Sequence, residues 1–594
     1  MSDPRLYRTA LIPVLFALVL LAFSLQNRPR PLTTTLAPDA FAGERAFERA
    51  YASRSGLAAR FPQRRPGSPG DERLAGVVAA QFREAGGFRV RTNVYDGETI
   101  DGRRSLRTVI AERPGTVDER IVVVAHRDAA GPRAEAELSA TAVLLELARV
   151  FGAPRQTQRT LTLVSTSGGS GGAAGAAALA DQLRGPFAGV LVLGDLASRN
   201  FRGPLLAPWS NHLGASPQRL RRTLQEALRQ ETGSDARQPR ALSQFARFAM
   251  PATYGEQGVL LARGLPAVTL SIGGDRPPPA QAPISRERLE ALGRVALRTV
   301  TALDVAPRGQ PVTPQPSSSD LVTSRKVLPG WAVRLFTGTL LLAPLIVVVD
   351  ALAALRRARE PILSWLRWTL VGALPLVVTV LFAIALGAVG LLAATPRAPV
   401  TPQALGVQAP ALLAVAFVLL LGWFWLRPAL LRITQAGGDR SSCAAGVCVL
   451  LVAVLTTVVV WVGNPYAAVM LAPALHIWLF ALATELRMHR VLRVALVVLA
   501  IAPVAIVAAV VARALGLGPV EAAWQALLLV AGGHVTTLSL LLWSLLGGSA
   551  AAALIVAARG GAPDRGPDLP ITVRGPRSYA GPGSLGGTES ALRG

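Results

Sequence analysis

Lysine, cysteine and histidine are almost missing from this chain of 594 residues, which has one lysine, two cysteines and five histidines. Cys443 and Cys448 lie together in an apolar stretch, so no disulfide can stabilise the polar part of the chain. We expect both to be small core residues. A chain rich in arginine, alanine and glycine but nearly free of lysine is typical of a high-GC genome, so codon usage explains part of its basic charge.

Charged residues are also scarce, at 16% of the chain against about 25% in ordinary soluble proteins. The hydrophobic share is 51% and the mean hydropathy is +0.41, which excludes a wholly soluble chain, a disordered chain and a coiled coil. The net charge of +25 does not indicate nucleic-acid binding, which requires basic residues clustered with aromatics on a soluble face. Many arginines instead flank apolar runs, so we expect the partner to be a lipid bilayer and not nucleic acid.

Apolar runs of about 20 residues, the length that crosses about 30 Å of hydrocarbon, occur near the N-terminus and again from residue 335 onward. The first is Thr9–Leu25. No small-residue cleavage site follows it, so we predict an uncleaved signal anchor. The remaining runs are Leu335–Leu355, Thr369–Leu392, Ala411–Leu426, Ala444–Val462, Tyr466–Leu482, Val494–Ala512 and Ala523–Ala558. About eight spans are predicted, the last run being one broken helix or a half-helix and a span.

Arginine clusters alternate with nearly neutral loops between these runs. Clusters follow the second, fourth and sixth runs, and another lies in the C-terminal tail. By the positive-inside rule the arginine-rich loops are cytoplasmic. The pattern predicts both termini inside and residues 27–330 outside, in the inner (plasma) membrane of a high-GC bacterium.

Composition divides the chain into five segments. They are a signal-anchor helix (1–30), an extracytoplasmic domain (40–302), a Pro/Ser linker (303–330), a polytopic transmembrane domain (331–558) and a cytoplasmic disordered tail (559–594).

Short β-branched runs alternate with Ala/Leu-rich helical stretches in the outer domain. Such alternation predicts an α/β fold with a mixed, largely parallel sheet and helices on both faces. The predicted strands are Val90–Tyr95, Arg107–Glu112, Arg120–Ala125, Thr160–Thr166, Gly189–Gly194 and Ala267–Ile272. The predicted helices are Leu74–Ala85, Leu138–Phe151, Ala173–Leu183 and Leu220–Glu231.

Two motifs follow the fourth predicted strand. The glycine-rich stretch Gly169–Ala174 precedes a helix, as in a phosphate cradle of a dinucleotide-binding domain. The same stretch places Ser170 in a Gly-x-Ser-x-Gly elbow, with Asp195 and His212 following in the order of a serine hydrolase. An acid only 25 residues after the elbow is too close for the usual hydrolase topology. Both interpretations stay open.

A third interpretation uses the whole outer domain. Its landmarks are Arg65–Asp71, His126-Arg127-Asp128 at a strand end, Ser139–Arg149, Arg159–Val164, Gly194-Asp195 and Gly264–Val268. The order and spacing of these landmarks, over roughly residues 45–300, resemble the co-catalytic zinc aminopeptidases of peptidase family M28.

The resemblance implies an aminopeptidase-like fold and, in active members, two zinc ions with a glutamate as general base. Residue by residue, His126 and Asp195 match metal ligands, and Asp128 matches the carboxylate that orients the imidazole. The other positions do not match. The bridging aspartate falls on Ala136, the Glu-Glu pair of base and ligand on Gly169 and Ser170, and the last histidine on Gln257.

At most two of five ligands therefore remain, and the general base is lost. We expect no bound cofactor, and a domain that binds a peptide or a membrane-protein partner instead of hydrolysing it. The alternative is an active zinc metallopeptidase in which Glu135, Glu137 or Glu256, each one residue from a lost position, rebuilds the metal site. A transport function remains a third alternative, on the basis of two histidines in the apolar runs, His476 and His534.

Overall fold

The computed structural model describes residues 4–37, 39–153, 156–200, 203–233, 239–276, 278, 281–307, 317–393, 402–437, 442–483, 486 and 488–559. The predicted tail beyond residue 559 and the middle of the predicted linker, 308–316, lie outside these residues.

Strand formation follows the β-branched runs of the outer domain. The strands are β1 (Gln26–Asn27), β2 (Arg89–Thr99), β3 (Gly102–Arg113), β4 (Val117–His126), β5 (Arg159–Thr166), β6 (Phe187–Leu193), β7 (Leu206–Ala207), β8 (Ala267–Leu270), β9 (Leu321–Val322) and β10 (Lys326–Leu328). Within the described residues, seven of them form one sheet in the order β2-β3-β5-β4-β6-β8-β7. The central strands β5, β4, β6 and β8 are parallel, and the outer pairings are antiparallel.

The central strand β4 shows how the sheet is buried on both faces. Because successive side chains of a strand point to opposite faces, Ile121 and Val123 pack in one core while Val122 and Val124 pack in the other. All four are at most 1% exposed. Burial on both faces explains why the strand reads as an unbroken apolar run.

Helices cover both faces of this sheet. They are α3 (Gly43–Tyr51), α4 (Leu57–Arg60), α5 (Pro69–Glu84), α6 (Leu138–Gly152), α7 (Ala174–Gln182), α8 (Gln218–Thr232), α9 (Ala241–Ala249), α10 (Glu256–Ala262) and α11 (Arg286–Asp304), preceded by α1 (Pro4–Ala10) and α2 (Ile12–Phe23). The core with α5, α6, α8 and α11 lies on one face, and α7 and α10 pack on the other. The predicted α/β fold class is confirmed.

A helical region follows the outer domain, the α/β unit of residues 40–302, which is also called the soluble domain. Its helices are α12 (Gly330–Arg357), α13 (Ile362–Val371), α14 (Leu374–Ala388), α15 (Pro402–Leu421), α16 (Arg427–Ile433), α17 (Ser442–Gly463), α18 (Pro465–Ala481), α19 (Arg490–Leu499), α20 (Ala502–Leu515), α21 (Pro519–Ala531) and α22 (Thr537–Arg559). Over the described residues, seven helical segments, including the N-terminal Arg5–Phe23, are long and apolar enough to cross a membrane. The predicted helical membrane domain is confirmed at that level, and α18 and α21 are shorter apolar helices.

The last apolar run consists of two helices separated at Gly532. The 13-residue α21 packs against the end of α14, where Trp524, Leu528 and Leu386 form a buried cluster. The 23-residue α22 is long enough to cross by itself. Of the two alternatives for this run, the half-helix and span matches the structure.

The predicted Pro/Ser linker, 303–330, needs correction at both of its ends. Its first residues complete α11, and its last residues form β9 and β10. Strand β10 pairs with β9 on one side and with β1 from the N-terminal segment on the other. Strands of two or three residues have no detectable periodicity, so the sequence did not reveal them.

The soluble domain docks directly on the helical region. Trp209 and Phe248 pack in one apolar cluster with Tyr466, Met470 and Val511 from α18 and α20. Polar contacts surround this cluster, including a hydrogen bond of 2.8 Å from the Asn464 amide to the Phe248 carbonyl. The soluble domain therefore contacts the end of the helical bundle at which α18 begins and α20 ends.

The predicted orientation can be tested by cysteine accessibility in a Cys443→Ala, Cys448→Ala background. Glu98 is exposed on the soluble domain and Arg559 at the end of α22. We expect a membrane-impermeant maleimide to label Glu98→Cys in intact cells, and to label Arg559→Cys only after permeabilisation. Labelling of Arg559→Cys in intact cells would contradict the predicted eight crossings.

Candidate functional site

A cavity of about 540 Å³ lies where the parallel strands end and the soluble domain meets the helical region. Crevices at the carboxyl ends of parallel strands are the usual place of sites in such sheets. Residues of the soluble domain that line it include His126, Glu137, Ser170, Asp195, His212 and Glu256. Residues of the helical region that line it are Leu515, Gln525, Leu529, His534 and Val535.

His126 ends strand β4 and is paired with a glutamate. Its Nδ1 lies 3.8 Å from Oε2 of Glu256, a side chain only 2% exposed at the start of α10. Burial lowers the pKa of His126, but Glu256 and Asp128 more than offset this and raise the pKa to about 9. The neighbouring carboxylates therefore favour the protonated imidazole.

Asp128 does not hold the imidazole of His126 as predicted. Its carboxylate accepts hydrogen bonds from the backbone N–H of Gly169 and Ser170, both at 3.0 Å, and from the Ser170 hydroxyl at 2.5 Å. The predicted positioning role is corrected, because two backbone donors and one hydroxyl compete more effectively for these oxygens. Asp128 fixes the glycine-rich loop after β5.

These contacts also bear on the two other interpretations of that loop. The backbone donors of Gly169 and Ser170, which a phosphate would require, already bind Asp128. The Ser170 hydroxyl donates to the same carboxylate and not to His212 within the described residues, although both side chains line the cavity. A serine nucleophile needs a base that takes its proton, so this geometry favours neither a phosphate cradle nor a serine hydrolase.

Glu137 and Asp195 each present a carboxylate oxygen without a hydrogen-bond partner among the described residues. Asp195 Oδ1 accepts from the backbone N–H of Ala197 and Ser198, at 2.9 and 3.0 Å, whereas its Oδ2 is buried and unpartnered. Glu137 Oε2 is likewise buried and unpartnered. Burial raises the pKa of Asp195 and raises that of Glu137 to about 7. Unpaired buried carboxylates are costly, which indicates a ligand-binding role.

Three predicted positions do not reach the cavity. Gln257 is fully buried and its amide binds Thr253, Asp275 and Thr269, at 2.9, 3.0 and 2.6 Å. Ala136 is buried in the 3₁₀ turn before α6, and Glu135 is exposed on the surface. Of the aligned positions, His126, Gly169, Ser170 and Asp195 line the cavity, whereas Ala136 and Gln257 do not. Glu137 and Glu256 do line the cavity.

The donor set does not form a metal site. Among the described residues, no three His, Cys, Asp or Glu side chains are placed to hold a metal ion. A zinc ion needs at least three such ligands and an open position for catalysis, so the residues present do not fit the zinc centre that the resemblance implies.

A buried ion pair behind the cavity fixes the strand ends. Nε of Arg127 lies 2.8 Å from Oδ1 of Asp71, and both side chains are fully buried. Arg127 also donates to the backbone carbonyls of Ser165 and Arg107. Buried pairs of this kind specify a geometry more than they add stability, and this one joins the start of α5 to the ends of β4 and β5.

The two predicted transport histidines have different surroundings. His476 Nδ1 lies 2.8 Å from the Tyr7 hydroxyl, and Nε2 lies 3.2 Å from the Leu340 carbonyl. Both ring nitrogens thus have partners within the bundle, as expected for a packed histidine. His534 instead lies in the loop between α21 and α22, at the cavity.

The fold and site together define an aminopeptidase-like α/β domain joined to a bundle of apolar helices. Residues 108–248 match the model of Peptidase family M28, so the resemblance predicted from the sequence is confirmed for this domain. Comparison with curated proteins gives no match.

Solved structures of similar fold include a glutaminyl cyclase of Porphyromonas gingivalis, with 16% identity, a TM-score of 0.31, and coverage of 44% of this chain and 99% of that chain. A zinc aminopeptidase of Bacillus subtilis has 11% identity, a TM-score of 0.33, and coverage of 46% and 98%. An aminopeptidase of Legionella pneumophila has 12% identity, a TM-score of 0.37, and coverage of 47% and 76%.

The raised pKa of Glu137 makes a prediction about stability. The folded protein keeps this proton up to about pH 7, whereas the unfolded chain loses it near the usual value of 4.5, so stability falls as the pH rises through this window. We expect Glu137→Gln to stabilise the purified protein at pH 8 by about 1–2 kcal/mol and to change little at pH 5.

The matched control is Glu135→Gln, in the same turn but exposed. Thermal unfolding of the full chain should show no pH-dependent gain for this variant. Equal changes in the free energy of unfolding for the two substitutions at pH 8 would contradict the raised pKa of Glu137.

Proposed function

We propose that this protein is an integral membrane protein whose M28-like outer domain binds a positively charged group of its ligand. We propose further that the domain does not hydrolyse this ligand. The observation that carries the proposal is the pair of unpartnered, buried carboxylate oxygens of Glu137 and Asp195, which line one cavity together with the His126–Glu256 pair. Two buried carboxylates that each have an oxygen without a hydrogen-bond partner among the described residues are suited to an ammonium group.

The charges around the cavity support this assignment. Asp275 pairs with Arg247 at 2.7 Å, and Arg263 lies 3.2 Å from Asp181. Arg276 is engaged with the carbonyls of the last turn of α20. With His126 paired to Glu256, Glu137 and Asp195 are the lining carboxylates of the described residues that form no ion pair within 4 Å.

Close packing at Gly169 supports binding over hydrolysis. In the resemblance to family M28 this position carries the general base. A Cβ atom at Gly169 would lie 3.0 Å from Nδ1 of His126 and closer still to its Cβ and Cγ. A glutamate there would therefore force His126 or the loop to move, so one substitution cannot restore the base. Loss of a general base typically costs about 10²–10⁴ in rate.

The membrane assignment is part of the proposal. The apolar helices support a multi-pass protein with Arg5–Phe23 as the N-terminal anchor. The 17-residue α18 is at the lower limit of about 17 residues for a span, and counting it as a crossing gives eight. An even number of crossings puts both termini on one side of the membrane, and we propose that this is the side opposite the soluble domain.

Zinc analysis and hydrolysis assays on the purified full chain test the proposal. We expect much less than one zinc per chain and no chelator-sensitive release of a fluorescent amine from aminoacyl substrates, because the site lacks three metal ligands. One zinc per chain, lost together with hydrolysis in His126→Ala, would overturn the proposal. It would assign the missing ligands to Glu137 and Glu256.

Binding is tested separately with a tripeptide amide. The form with a free amino terminus should raise the unfolding temperature of the full chain, and the N-acetylated form should not. Asp195→Asn should remove the effect, whereas the exposed Asp118→Asn should keep it. Equal stabilisation by both peptides would contradict recognition of an ammonium group.

A further inference from the structure

A glutamine of the helical region faces the same cavity with no hydrogen-bond partner. Gln525 lies in the middle of the apolar helix α21, is 3% exposed and lines the cavity. Neither Oε1 nor Nε2 has a partner among the described residues. Leaving a buried amide unpaired costs about 1–3 kcal/mol for each group. We therefore interpret Gln525 as a ligand-binding residue and not as a packing residue.

Sequence reasoning missed this residue because it considered only ionisable side chains in the apolar runs. A single amide in the stretch Pro519–Ala531, which is otherwise apolar apart from the capping Glu521, was the available signal.

The wall that contains Gln525 belongs to the membrane part of the molecule. Leu515 ends a helical segment long enough to span, and Leu529 is four residues beyond Gln525 on the same face of α21. Apolar side chains beside this wall are exposed: Val520 is 70% and Leu538 is 60% exposed. Exposed apolar residues at the ends of membrane helices are placed to contact lipid.

The cavity thus has two chemically different sides. The soluble domain supplies the carboxylates of Glu137 and Asp195, and the helical region supplies the Gln525 amide and the His534 imidazole among leucine and valine side chains. A soluble peptide does not require the apolar wall that the helical region supplies. A molecule that occupies both has a cationic group, an adjacent hydrogen-bonding group and an apolar chain.

We propose that the ligand is a membrane-embedded amphiphile with a primary-amine head group, an amine-bearing lipid. Its ammonium lies against Glu137 and Asp195, the polar group next to it pairs with Gln525, and its apolar chain passes Leu529 and Val535. The inference rests on the proposed function for its cationic end and goes beyond it in naming a ligand that enters from the bilayer.

The test uses the full chain in lipid nanodiscs and a tetradecylamine that carries a photoreactive diazirine in its chain. After irradiation, mass spectrometry should place the cross-links in residues 515–535. The matched tetradecanol and tetradecanoic acid probes should label this segment about tenfold less, since each lacks the positive charge.

Two variants separate the contributions. Gln525→Leu removes the amide but preserves an apolar helix, and it should reduce labelling about tenfold, the equivalent of one or two hydrogen bonds. Gln408→Leu, a glutamine of α15 outside the cavity lining, is the control and should label like the parent chain. Leu529→Trp fills the cavity and should block labelling if Gln525→Leu fails to fold.

The outcomes distinguish the two proposals. If butylamine competes as well as unlabelled tetradecylamine and Gln525→Leu labels normally, the ligand is a soluble amine, and only the membrane inference is overturned. If the amine, alcohol and acid label equally, recognition of a cation fails, and the proposed function fails with it. Amine-selective labelling that needs Gln525 supports both.

Discussion

Docking of the soluble domain on the helical region is the constraint on which the cavity depends. Arg276 donates hydrogen bonds to the carbonyls of Arg513 and Ala514 in the last turn of α20, at 2.8 and 3.2 Å. The end of a helix carries partial negative charge and unsatisfied carbonyls, so a guanidinium is a favourable cap. Beside it, Phe248 and Tyr466 stack with ring centroids 5.0 Å apart. These contacts bring Gln525 to the carboxylates of the sheet.

Acidic side chains converge on one cavity, but among the described residues they do not form a metal site. In a zinc enzyme the metal offsets the converging carboxylates. Here the charge of the His126 imidazolium acts on both Glu256 and Glu137, and the loop that follows β5 is tied to Asp128. Glu137 and Asp195 are each buried with an oxygen that has no hydrogen-bond partner among the described residues, at a cost in stability that a bound cation would reduce. This strained arrangement is the physical basis for assigning a binding function.

Sequence reasoning located the central strands, the helices α5 to α8 and the apolar bundle, because burial imposes periodicity on each of them. His126, Asp195, Glu137 and Glu256, which the sequence singled out, all line the cavity where parallel strands end together, whereas Glu135 is exposed. It failed where long-range packing decides. The hydrogen bonds of Asp128, the withdrawal of Gln257 into a buried network and the contact of Gln525 with the cavity all depend on segments distant in sequence. Of these, only Gln525 leaves a local signal, as a single amide in an apolar helix.

The pH dependence of tetradecylamine affinity tests the central claim most directly. Glu137 faces His126, Arg64 and Asp195, and its pKa is raised to about 7. The account predicts that affinity rises between pH 6 and 8 in the parent chain, and that this rise is smaller in Glu137→Gln. His126 and Glu137 shift each other's pKa, so both proteins also carry His126→Gln, and the difference between them then isolates Glu137. Identical profiles for the two proteins would contradict the claim that unpaired carboxylates bind the ligand.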